Sequence, residues 1–222
     1  MRRGSSHRRL IGLWGEEAQA LAYRDRRFSG SRRWRWTDRR EREILSGFLS
    51  SIVQGASGLD IPCGAGRMGP HFQMAGLGWL GADASIAMAR LARKSLGSPT
   101  LVADAMALPF PEDTFSFVVC VRLLHRLPDP EERVRILREL GRVCHGPALV
   151  TYYTRWNLRG IQRWLKGKHP GLSLARIRKD AREAGLRIQR AIPLRRLTQQ
   201  EWFFVLKREG GPGPKRKTTG SS

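Results

Sequence analysis

The chain has 222 residues, with 41 Lys and Arg against 19 Asp and Glu, a net charge of +22. That length carries one sizeable α/β domain with its own core, and no apolar run reaches the roughly 18 residues of a transmembrane helix. Cys63, Cys120 and Cys144 are odd in number, sit in apolar contexts and lack zinc-ligand spacing, so they read as reduced buried thiols of a cytosolic protein.

The charge is unevenly placed. Residues 1–43 hold 13 basic and 6 acidic side chains, residues 44–153 hold 10 and 9, and residues 154–222 hold 18 and 4. The middle is close to neutral and the flanks are basic. Basic flanks suit an anionic partner (nucleic acid, an anionic membrane surface or a phosphorylated substrate) or are simply arginine on solvated faces.

Residues 1–38 read as an irregular basic segment, with a short helix over 12–23. The run Arg26–Trp36 interleaves arginine with Phe28, Trp34 and Trp36, a composition for base stacking, for a membrane interface, or for packing down as a lid. A domain is expected over 39–207. Thr37 or Asp38 caps a helix with Ile44, Leu45, Phe48, Leu49 and Ile52 at helical spacing. Leu59–Ile61 is a strand, Arg67–Ala75 a helix, Trp79–Ala82 a strand, and Ile86–Leu96 a helix capped by Ser85 and stopped by Gly97 and Pro99. Thr100–Ala103 and Phe115–Val121 are strands, Pro130–Val143 a helix and Ala148–Tyr153 a fifth strand. Alternating strands and helices imply a Rossmann-like, doubly wound, mostly parallel sheet with helices on both faces.

Beyond Tyr153 the pattern changes. Arg155–Lys168 reads as a basic amphipathic helix within a lid or substrate insertion over 155–172. Ser173 caps a helix to Ala184, and Leu186–Ile192 and Glu201–Leu206 form an antiparallel pair at the sheet edge. Residues 208–222 read as a disordered basic tail.

Asp60, Asp83 and Asp104 fall at the carboxyl ends of the first three strands, where open α/β sheets bind ligands. Between the first two lies a tight turn, Pro62-Cys63-Gly64-Ala65-Gly66, whose glycines let backbone approach a ligand closely.

The stretches LDIPCGAGR, GADAS and VADAMALPFPEDTFSFVVCVRLLHRL resemble the successive motifs of the class I S-adenosylmethionine-dependent methyltransferases, over residues 40–207. The closest likeness is to the branch of ubiquinone and menaquinone biosynthesis methyltransferases. The resemblance implies S-adenosylmethionine as cofactor and S-adenosylhomocysteine as product. It implies that Gly64 and Gly66 pass beside the methionine moiety and that Asp60 lies near its ammonium. Asp83, with Ala84 beside it, would accept the ribose hydroxyls. Asp104 would meet the adenine amine, with Ala105 and Met106 in support. Pro62 stands where the family usually has its first glycine. A general base is optional because the sulfonium is already activated; His125 is the candidate, and related enzymes often carry a His-His pair where this chain has His125-Arg126. Arg122 is a candidate for an anionic substrate group, and Tyr152 and Tyr153 for the acceptor pocket. No metal is expected.

No D/N-P-P-Y stretch follows the fourth strand, which argues against amino methylation of nucleic-acid bases. The expectation is O- or C-methylation of a small or lipid-like acceptor. An RNA methyltransferase using the basic flanks and a non-catalytic cofactor-binding module are the alternatives. A cytoplasmic location, or a peripheral one at the membrane, is expected.

Overall fold

The computed structural model describes residues 32–96, 99–155, 157–167, 171–195 and 200–210. In chain order these form α1 (Arg32–Leu49), β1 (Ser57–Asp60), α2 (Gly69–Met74), β2 (Gly78–Asp83), α3 (Ile86–Leu96), β3 (Thr100–Val102) and β4 (Phe117–Cys120). Then come a 3-10 turn (Leu124–Arg126), α4 (Pro130–Val143), β5 (Ala148–Tyr153), α5 (Leu158–Leu165), α6 (Leu174–Glu183), β6 (Leu186–Pro193) and β7 (Glu201–Arg208). The proposed helix over 12–23, the tail from 211 and Trp156 lie outside the described residues.

One seven-stranded sheet runs in the order β3-β2-β1-β4-β5-β7-β6. Strands β1 to β5 pair in parallel, and β7 is antiparallel to both β5 and β6. The expected antiparallel pair is present, but β7 sits inside it and β6 forms the edge. Pro193 ends that edge strand, where a missing N–H costs no ladder bond.

The period-two alternation of buried strands divides the core between the two faces. Phe117, Val119, Leu149 and Phe203 pack with Leu45, Phe48 and Leu49 of α1 and Phe72 of α2. Val118, Cys120, Val150 and Tyr152 pack on the other face with Ile136, Leu137 and Leu140 of α4 and Ile177 of α6. All three cysteines are free and buried.

Helix α1 corrects one boundary. It begins at Arg32, so Thr37 and Asp38 lie within it and not at its start. Helix α2 starts later than expected, at Gly69, because Arg67 and Met68 belong to the turn that precedes it. Gly58 marks a close approach: a Cβ there would lie 2.2 Å from the ring of Phe117, which is fully buried against α1 and α2. Gly58→Ala is therefore expected to destabilise by about 1–3 kcal/mol, read as a lower urea midpoint at unchanged slope.

Candidate cofactor and acceptor site

Strand β1 delivers Asp60 to the carboxyl end of the sheet, and the chain turns at once. The Ile61–Pro62 peptide is cis. The turn is tied to β2 by the Cys63 amide, which donates to the Ala82 carbonyl at 2.8 Å. Gly64 and Gly66 take φ of +55° and +84°, values that disfavour any side chain. At Gly64 a Cβ would meet nothing within 4 Å, so the backbone there borders open space.

Asp83 reaches back to that turn. Its Oδ2 accepts the Gly64 amide at 2.9 Å and its Oδ1 accepts the Ser85 amide at 2.9 Å. Ser85 in turn accepts the Met88 amide and caps α3, as expected. Burial raises the Asp83 carboxyl while the two amides lower it, with a net rise. A carboxylate has about four acceptor directions, so each oxygen keeps one for a ligand hydroxyl. Ala84, beside it, is half-buried. Asp104 holds its own loop: Oδ1 accepts the Met106 amide at 2.8 Å, an Asx turn. Ala105 is buried in the core and Met106 is half-buried against it.

Asp60 differs from both. It is 1% exposed, and its Oδ2 receives no hydrogen bond from the described residues. Burial pushes its carboxyl up to about 8; Arg67 pulls it down and Asp83 pushes it further up. Burial without a full set of donors favours the neutral acid, and a cation placed beside it would favour the carboxylate.

On the acceptor side, His125 lies in the 3-10 turn after β4, and its ring stacks on Tyr153 with centroids 3.7 Å apart and planes 9° apart. Two expected residues are placed elsewhere. Tyr152 alternates inward: it is 1% exposed, edge-on to Phe204, and burial raises its phenol well above the ordinary value. It belongs to the core and not to a pocket wall. Arg122 has φ of +67° and donates its amide to Thr151 Oγ1 at 2.7 Å. Its guanidinium is committed to Glu41 and to Glu201, the latter at 3.3 Å. Those acids already pair with the charge that a substrate anion would need.

Glu41 is the residue that the sequence reading missed. It is fully buried in α1 and also receives Arg67 Nη2 at 2.6 Å, while Arg67 Nη1 reaches Asp38 at 2.6 Å. Burial lowers the Arg67 guanidinium, but Glu41 and Asp38 more than offset it. The signal was present: Thr37, Glu41, Leu45 and Phe48 share one helical face, and an acid on an apolar face needs a partner.

Comparison with known proteins bears on the fold and on the domain. Residues 59–146 match the family model described as "Methyltransferase domain". Magnesium protoporphyrin IX methyltransferase from Synechocystis, solved with S-adenosylhomocysteine, superposes with a TM-score of 0.72 at 17% identity, covering 92% of this chain and all of that one. A TehB-like S-adenosylmethionine-dependent methyltransferase from Corynebacterium glutamicum gives 0.64 at 17% identity, covering 87% and 97%. Residues 59–146 are thus similar to a methyltransferase domain, and the chain shares the fold of these solved structures.

Among curated proteins, the tRNA (carboxymethyluridine(34)-5-O)-methyltransferase of Saccharomyces cerevisiae is 30% identical over 135 residues, 58% of this chain and 45% of that protein. That of Schizosaccharomyces pombe is 26% identical over 102 residues, 45% and 42%. The chain thus spans less than half the length of these relatives, and none of the proteins named here is a quinone-biosynthesis methyltransferase.

Proposed function

We propose that the chain moves a methyl group from S-adenosylmethionine to an oxygen or carbon nucleophile of a small or lipid-like acceptor, by in-line displacement. The observation that carries the reading is the meeting of Asp60 and Asp83 at one glycine turn, with Asp104 just past the end of the neighbouring strand β3. The residues fit the cofactor. Asp60 Oδ2 meets an ammonium, the remaining lone pairs of Asp83 meet two ribose hydroxyls, and Gly64 leaves room for the chain between them. When bound, the cofactor supplies an activated methyl on sulfonium. The protein then has to orient the acceptor and exclude water. His125, held by its stack on Tyr153, takes the proton that leaves an acceptor hydroxyl.

Calorimetry with S-adenosylhomocysteine tests the reading. The wild-type protein is expected to bind, and Asp83→Ala to lose roughly a hundredfold or more, because both the ribose acceptor and the anchor of Gly64 go together. Folded wild-type protein without affinity would end the cofactor reading.

A second acceptor class has its own support. Two curated relatives are named as tRNA methyltransferases, and the described end of the chain exposes Arg155, Arg187 and Arg190. Methylation of RNA, with binding that weakens linearly in log salt, would replace the small-acceptor reading.

A further inference from the structure

Helix α5 leaves the sheet from the carboxyl end of β5, the end at which Tyr153 meets His125. Asn157 starts it, its Oδ1 accepting the Gly160 amide at 2.9 Å and its Nδ2 donating to the Thr154 carbonyl at 2.7 Å. From Ile161 to Gly167 every residue is exposed. Yet the helix is not polar. Leu158, Ile161, Trp164 and Leu165 are 57%, 53%, 67% and 71% exposed, four of the large apolar side chains that the described surface shows. At about 100° per residue they share an arc of roughly 120°. Arg163 and Lys166 stand on the opposite side, and α5 contains no acid.

We propose that α5 is an interfacial helix that seats this protein on an anionic lipid surface, with its apolar stripe in the headgroup boundary and its basic side facing lipid phosphates. The charge argues for that occupant. A protein partner for a leucine–tryptophan stripe has no need of the surrounding cations, and an RNA has no need of Leu158, Ile161 and Leu165. An anionic bilayer uses both sides of the same helix. No described helix is long and apolar enough to cross a membrane, so the contact is peripheral. The docking does not depend on the acceptor. Its use, to bring the end of the sheet that carries His125 and Tyr153 down to a lipid-like substrate, rests on the proposed function.

Co-sedimentation of the full chain tests it, with vesicles of phosphatidylcholine containing phosphatidylglycerol against phosphatidylcholine alone. The wild-type protein is expected to pellet with the anionic vesicles. Ile161→Asp with Leu165→Asp is expected to lower partitioning by roughly tenfold or more. Arg163→Glu with Lys166→Glu should lower it in a salt-dependent way. Met74→Asp, at an apolar residue 83% exposed on α2, should leave it unchanged. All the substituted side chains are exposed, and unchanged melting temperatures confirm intact folding. No pelleting at low salt overturns the proposal. So does pelleting that is indifferent to the α5 substitutions. So do a solution dimer or an RNA complex that those substitutions dissolve while vesicle binding persists, and equal hydrogen-exchange protection of α5 with and without vesicles. S-adenosylhomocysteine affinity, measured separately, distinguishes failure here from failure of the enzyme reading.

Discussion

Asp60→Asn is expected to make the ligand-free protein more stable at neutral pH and to remove its affinity for S-adenosylhomocysteine. The cause is the same for both. The carboxyl is 1% exposed with one oxygen unpartnered, and burial lifts it from 3.8 to about 8. Between those values the folded protein holds a proton that the unfolded chain does not. Stability from this group is thus greatest below about pH 4 and is lost as the pH rises toward 8. Asparagine has no such slope. The melting temperatures of the two proteins should converge in acid and separate toward pH 8, with the variant ahead by about 1–3 kcal/mol, or roughly 2–4 °C per kcal/mol. Arg67 and Asp83, the other charges facing Asp60, are unchanged between the two proteins.

The ligand reverses the balance. An ammonium beside Asp60 favours the carboxylate, so binding below pH 8 releases a proton. Affinity should then rise with pH, by at most about tenfold per unit, and level off near 8. Titration in two buffers of different ionisation enthalpy counts the proton. Equal heats in both, with flat affinity from neutral to mildly acidic pH, would separate Asp60 from the ammonium. It would leave Asp60→Asn as a stability variant only.

The strand ends were legible because the features that define them are local. An apolar run, an acid and a glycine turn can each be read within a few residues, and the ligand site of an open sheet follows from them. What lay beyond reach was pairing. Adjacent tyrosines at the end of a strand must face opposite ways, but which one turns inward is decided by register. β5 pairs with β7 so that Tyr152 stands opposite Trp202 and Tyr153 opposite Glu201, and Tyr152 joins Phe204 in the core. Arg122 looked available because its partner, Glu41, lies 81 residues away. Asp38 suits a helix cap or an interior ion pair equally well from its neighbours alone. Its position was settled by Arg67, again at long range.

Glu41→Ala should be strongly destabilising although it lies outside the hydrophobic clusters. Two nearly buried guanidiniums, Arg67 and Arg122, both meet this one carboxylate. Without it they face each other across a desolvated space. Burial alone pulls the Arg122 guanidinium down, and it stays charged because Glu201 and Glu41 outweigh that pull. Removing one member of a buried ion pair costs about 3–5 kcal/mol, a large share of an ordinary domain's stability, so the melting temperature should fall by roughly 10 °C or more. The exposed pair between Arg39 and Glu43, on the same helix, sets the contrast: their side chains are 81% and 46% exposed, and Glu43→Ala should leave the melting temperature almost unchanged. The consequence also reaches the site. Arg67 follows the glycine turn and Arg122 opens the loop that carries His125, so a single acid in α1 ties both segments. Cofactor affinity should therefore fall in Glu41→Ala at temperatures where the protein is still folded. Equal effects of Glu41→Ala and Glu43→Ala would show that the buried network carries no more weight than a surface pair.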